Sequence, residues 1–313
     1  MKRNGGPARA AALLLLAAVL FGTTGTARAL GSGGASPLAV GALRITLGGV
    51  LLLGLAAATR APLRRCLERE VRGAVLVGVA AVATYQLSFF AAVSLSGVAV
   101  GTLVTIGSAP VLAGLFGIVG GERPTRTWVL ATMLATGGCG LLLIPTGETD
   151  VRLAGTLLAL VAGASYAALT VAGRRVMLHT KSPDAVMAVF FGGGALLLLP
   201  LLAIQDLRPL TSWRGVAMVV WLGLVTTALA YWLFARGLAR LSAATATTLD
   251  LAEPLTAALL GVLLLSERLS SRGLLGAGLI AGGLLLLTLR PPAGAVDADD
   301  EGEQHATMGS GWR

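Results

Sequence analysis

Four ionisable side chains fall inside long apolar stretches of this chain: Arg44, Asp250, Glu253 and, nearer the end of its stretch, Arg236. A charge at the centre of a bilayer costs about 2.5–3.5 kcal/mol on insertion scales, so such residues mark ion or substrate pathways or pair with one another. Asp250 and Glu253 are three residues apart, which on a helix puts both carboxylates on one face. Burial disfavours the charged form, and two neighbouring carboxylates resist ionising together, so the pair suits holding a proton and releasing it to entering water. In the competing reading, one acid pairs with Arg44 and merely neutralises it. Arg44 itself suits either an anionic substrate group or a buried acid.

All three tyrosines, Tyr85, Tyr166 and Tyr231, also lie in apolar stretches, accompanied by Thr23, Thr24, Gln86, Thr105, Ser108 and Thr248. An aromatic rim with a few hydroxyls and one amide suits a small amphipathic solute, while anchoring at the membrane surface is the plainer alternative. Pro110 and Pro254 each sit inside a helical stretch, where a proline removes a ladder bond and frees a carbonyl. Such freed backbone is tolerated at depth where side chains or water satisfy it, which favours a cavity wall.

The elements that would position these residues are membrane spans. Among the 313 residues 55% are hydrophobic and 12% charged, and the mean hydropathy of +0.83 excludes an ordinary soluble domain. A span needs roughly 20 residues. The expected spans are about 10–27, 37–58, 73–93, 97–120, 126–145, 153–176, 184–204, 214–236, 241–265 and 271–290. The chain also repeats itself: Phe21 and Tyr166, Ser36-Pro37 and Ser182-Pro183, Pro110 and Pro254, and Glu122-Arg123 and Glu267-Arg268 recur at a nearly constant offset. The reading is therefore all-α, with a 1–9 N-terminal segment, five-helix repeats at 10–145 and 153–290, and a 291–313 acidic, disordered tail. An odd number of spans per repeat orients the copies oppositely, as in secondary transporters.

Lys2 and Arg3 before an apolar run, then Ala27-Arg28-Ala29, imitate a cleavable signal, but the run matches the sixth span and is expected to be retained. With the N-terminus inside, seventeen of the 24 Lys and Arg residues fall in cytoplasmic segments and six, Arg28 among them, outside. The positive-inside rule thus puts both termini in the cytoplasm of a multi-pass cell-membrane protein. The net charge of +9 is spread over loops, not patched as nucleic-acid binding requires. Cys66 and Cys139 are placed neither for a disulfide nor, lacking a ligand cluster, for a metal. Among 43 glycines, the four-residue pairs Gly97/Gly101 and Gly278/Gly282 read as close helix contacts, and Trp128, Trp213 and Trp232 as interfacial anchors.

The blocks FGTTGTARA…SPLAVGALRITLGGVLLLGL, YQLSFFAAV…GVAVGTLVTIGSAPVLAGLFGIVGGERPT and GLARLSAATATTLDLAEPLTAALLGVLLLSERLSSRGLLGAGLIAGGLLLL resemble the EamA-type transporters of the drug/metabolite transporter superfamily. That resemblance implies a ten-helix inverted repeat with cytoplasmic termini and a central cavity lined by helices one, three, four, six, eight and nine. It implies export of amino acids, related metabolites or drugs. The family's helix-four and helix-nine prolines fall on Pro110 and Pro254, its helix-ending glutamates on Glu122 and Glu267, its second-span arginine on Arg44. Phe21-Gly22 stands where the family often has Trp-Gly.

The leading expectation is a secondary-active exporter of a small solute working by alternating access, with no cofactor. Proton antiport and uncoupled uniport both remain open, and a homodimer is compatible with the sequence. An intramembrane enzyme lacks its inventory: His179 and His305, the two histidines, lie outside the spans, and no phosphate-cradling loop with lysine occurs.

Overall fold

A computed structural model describes residues 6–31, 34–120, 124–143, 152–266 and 270–289. Among them all regular structure is helical, and nine helices are long and apolar enough to cross a membrane. They are α1 (Gly6–Gly31), α2 (Pro37–Ala58), α3 (Arg69–Val119), α4 (Arg126–Leu143), α5 (Leu153–Thr180), α6 (Pro183–Ala203), α7 (Trp213–Leu238), α8 (Ala243–Leu264) and α9 (Ser271–Leu289). Glu122, Glu267 and the acidic tail lie outside the described residues.

Three of these helices depart from regularity, each for a local reason. Helix α3 runs for 51 residues, yet Gly97 has φ 79° and ψ 163°, a conformation open to glycine because it has no Cβ. A Cβ on Gly101 would lie 3.2 Å from the Cα of Val93. Residues eight apart in a continuous helix are separated by about 12 Å, so the chain folds back on itself at Gly97. Helix α3 is thus two arms, 69–96 and 98–119. Helix α8 breaks at Asp250-Leu251, between Ala243–Leu249 and Ala252–Leu265. Helix α7 widens into a π-helical stretch over Trp221–Leu229, where the Thr227 hydroxyl donates back five residues to the Leu222 carbonyl at 2.8 Å.

The break in α8 falls where its proline acts. Pro254 has no N–H for the carbonyl of Asp250, four residues back, and its ring crowds that carbonyl. The chain turns more tightly there: the Leu251 N–H donates to the Thr248 carbonyl at 3.1 Å and the Glu253 N–H to the Asp250 carbonyl at 2.9 Å, so Asp250 and Glu253 stay on one side of the chain, one tight turn apart. Pro110 lies inside the helical arm 98–119 and gives no N–H to the carbonyl of Ile106.

Both arms of α3 pack on α5, α4 packs on α9, α2 on α6, and α1 on α7 and α8. Small residues set the closest approach. A Cβ on Gly138 would sit 2.6 Å from the Gly276 carbonyl, and one on Gly276 the same distance from that of Gly138, so α4 and α9 touch backbone to backbone. Gly278 and Gly282 instead face open space, which corrects their reading as contact residues. Trp128 is not an interfacial anchor either: it is buried, and its indole N–H donates to Thr248 at 3.1 Å.

Cys66 and Cys139 are both free and buried. Cys66 sits in the short turn Leu63–Leu67 between α2 and α3, where burial and then the charge of Glu68 push its thiol up to about 11.

Candidate functional site

The helices meet around a central cavity of about 70 Å³. A water needs roughly 10–15 Å³ on this scale, so the space holds a handful of waters. Its wall combines Phe21 and Thr24 of α1, Arg44 of α2, Tyr85, Phe89, Thr105, Ile106 and Ala109 of α3, Tyr166 of α5, Tyr231 of α7, and Thr247, Asp250 and Glu253 of α8. Arg44, both acids and all three tyrosines therefore converge from five helices.

The aromatic part is a connected cluster. Phe21 packs on Tyr231 with ring centroids 4.9 Å apart, Tyr231 on Phe191 at 4.2 Å, and Tyr85 on Tyr166 at 5.9 Å. Gly22 allows α1 to come this near: a Cβ there would lie 2.6 Å from the Thr256 side chain and 2.8 Å from the Glu253 carbonyl. The tyrosines are thus in the interior and not at helix ends, so the surface-anchor reading fails for them.

The charged part is sparsely paired. The Tyr166 hydroxyl donates to Oδ2 of Asp250, while Oδ1 is buried and has no hydrogen-bond partner. Arg44 forms no ion pair with either acid among the described residues, and its Nε is likewise buried and unpartnered. The charge of Arg44 still acts on Glu253, so the acid offsets it in part while leaving one guanidinium donor unused. Arg236 is engaged elsewhere: it grips Asp184 at 2.9 and 3.3 Å and lies 3.8 Å above the Trp232 ring.

The remaining sequence candidates sit at the margins. Thr105 lines the cavity while its hydroxyl donates to the Ala159 carbonyl at 3.1 Å, and Ser108, one turn on, donates to the Thr105 carbonyl. Thr248 points away, bonded to Trp128 and to Thr132 at 2.9 Å. Thr23 accepts from the Trp221 indole at 3.0 Å and faces a separate groove of about 700 Å³ between α1, α7 and α8. Gln86 belongs to a smaller side pocket described below. Phe21 was marked by the repeat and by the resemblance, but Phe89, Ile106, Ala109 and Thr247 were not named as wall residues in advance. Apolar wall residues of a membrane cavity look the same in sequence as lipid-facing ones.

One surface cluster also escaped sequence reading. Glu68, Glu70 and His179 bring their ligand atoms within 4.8 Å of one another, and His179 contacts Glu68 at 2.5 Å. Sequence spacing did not reveal it because His179 lies 111 residues from Glu68 in the chain. His179 itself lies in the last turn of α5, not in a loop.

The model for the EamA-like transporter family matches the chain twice, at residues 8–144 and 153–289. An uncharacterized transporter of Bacillus subtilis, YwfM, is 42% identical over 283 residues, covering 89% of this chain and 93% of that protein. The threonine/homoserine exporter RhtA of Escherichia coli K12 is 30% identical over 246 residues, covering 77% of this chain and 78% of RhtA. A protein crystal structure 24% identical in sequence has a TM-score of 0.75, over 90% of this chain and 97% of its own.

Proposed function

The chain belongs to the EamA-like transporter family, within the drug/metabolite transporter superfamily, and from that premise we propose that it is a secondary-active exporter of a small solute coupled to protons. The observation that carries this reading is the small central cavity, in which a buried carboxylate, Asp250, has one oxygen held by Tyr166 and the other without a partner. A site at the meeting of helices from both repeats is where alternating access places substrate and coupling ion. The unpartnered Oδ1 is the proton's seat in this proposal, and Glu253, across the α8 break, is the second acceptor along its path. Tyr85, Tyr166 and Tyr231, with Thr24 and Thr105, are the surfaces on which the solute rests.

The two arms of α3 count as separate spans, giving ten in two inverted repeats, 10–145 and 153–290, with both termini in the cytoplasm of the inner membrane. Three facts support this: the reversal at Gly97, the doubled family match and the excess of Lys and Arg on one side. Helix packing agrees with the same symmetry. The contact of α1 with α7 and α8 mirrors that of α5 with the two arms of α3, while α2–α6 and α4–α9 are each their own counterpart.

The test is flux from proteoliposomes carrying an internal pH dye, beginning with threonine and homoserine because RhtA exports them. Solute-dependent proton movement in the wild type that disappears in Asp250→Asn is expected. Solute exchange without any pH change in the wild type would make the protein a facilitator and remove Asp250 from the mechanism.

A further inference from the structure

Beside the central cavity, and sharing Thr24, Arg44, Tyr85 and Phe89 with it, is a side pocket of about 40 Å³ whose other walls include Arg28 and Gln86. Its polar inventory is unusual in being rich in donors. The Nε atoms of Arg28 and Arg44 and the amide nitrogen of Gln86 are all buried without a hydrogen-bond partner, and Gln86 is only 3% exposed. Neither arginine has an ion pair with an acid among the described residues; Arg28 rests over the ring of Phe90 at 5.5 Å. The two guanidinium groups also stand close enough to repel each other. Both arginines are only half-buried, but holding their Nε donors and the Gln86 amide out of water with no acceptor costs free energy, which the charge of Glu253, beyond ion-pair distance of Arg44, offsets only in part.

An anionic group bound between them supplies the missing acceptor, and a guanidinium offers a planar pair of donors matched to a carboxylate. The pocket has room for a group of a few atoms. At the other end of the shared space the polarity is reversed, because Asp250 and Glu253 present carboxylates to the central cavity. We propose that Arg28, Arg44 and Gln86 form a carboxylate-binding subsite, and that the transported solute is dipolar, its carboxylate in this pocket and its amine toward Asp250 and Glu253. Sequence alone hid the subsite, since Arg28 is near the end of its apolar run and counts there as a loop charge. The inference rests on the transporter reading above and specifies its substrate chemistry.

The experiment measures ligand-induced thermal stabilisation of the purified full chain by each of the twenty L-amino acids, its methyl ester and the corresponding amine lacking the carboxyl group. At least one free acid should stabilise the wild type, with its ester and amine needing at least tenfold higher concentrations. In Arg28→Gln and Arg44→Gln that gap should shrink below threefold, while Arg28→Lys and Arg44→Lys retain part of it. The acid-to-ester comparison is made on wild-type protein, so it stands even where a variant fails to fold. Esters or amines binding as tightly as the acids, or no acid binding at all, would overturn the subsite. Proteoliposome flux of a solute without a carboxylate would then leave the transporter reading intact; absence of flux for every solute tested would remove both.

Discussion

Thr248 offers the sharpest test of how the break in α8 is held. Its side chain is fully buried, receives the Trp128 indole N–H at 3.1 Å, pairs with the Thr132 hydroxyl at 2.9 Å and donates to the Ala244 carbonyl at 2.9 Å. The first two bonds tie α4 to the short piece of α8 that ends at Asp250. Thr248→Val keeps the shape and removes the acceptor. The Thr132 hydroxyl can turn to a carbonyl of its own helix, but the indole N–H has no such option, being fixed in the ring plane. Polar pairs between helices in membranes average about 0.6 kcal/mol and reach about 1.7 kcal/mol. A donor left buried and unpaired costs about 1–3 kcal/mol. The second effect dominates, so Thr248→Val should destabilise the protein by about 1–3 kcal/mol, and Thr248→Ser by less than about 1 kcal/mol. Unfolding in mixed micelles, with Trp128→Phe as the second arm of a double-mutant cycle, separates the bond from the loss of ring packing. A Thr248→Val protein as stable as wild type, or additive losses in the double mutant, would refute the reasoning.

Two further outcomes follow from packing and from titration outside the membrane. Gly138→Leu and Gly276→Leu should each abolish folded protein, because even the first added carbon meets opposing backbone at 2.6 Å, whereas Gly278→Leu should leave the yield in size-exclusion chromatography unchanged. At pH 7.5 the Cys66 thiol, pushed up from 9.0 to about 11, should carry roughly a hundredth of the thiolate of an unperturbed cysteine. Maleimide labelling should accordingly be slow at that pH and accelerate up to about pH 11; equal rates for Cys66 and for an exposed cysteine placed at Leu67 would contradict this.

Much of the architecture was legible because a bilayer imposes long apolar runs, and these are visible without knowing any contact. Span length called for a gap near residues 94–96, but Gly97 itself was read as a packing glycine, whereas a Cβ there would meet nothing within 4 Å and its φ of 79° makes it the point of reversal. What periodicity does not reveal in such a chain is which face points inward. Large apolar side chains such as Leu16, Leu196 and Leu263 stand exposed at positions a soluble protein would reserve for polar ones. The inward face is therefore not marked by hydrophobicity, and Trp128, Gly278 and Gly282 were placed wrongly for that reason. Polar residues at depth were a better guide: Arg44, Asp250, Glu253 and the tyrosines do meet. Their pairing was not readable, because it depends on how tightly the chain turns at Asp250-Leu251, one turn before Pro254, and on Arg28 turning inward from the end of α1.

The tight reversal at Gly97 also bears on how the chain enters the membrane. No charged residue occurs between Arg72 and Glu122, and no hydrophilic segment separates the two arms of α3. Neither arm carries a flanking charge of its own at the fold, so neither can be oriented or halted singly during synthesis. On the ten-span proposal the two arms enter the membrane together as one helical hairpin, with Arg69 and Arg72 at its open end as the nearest positive charges.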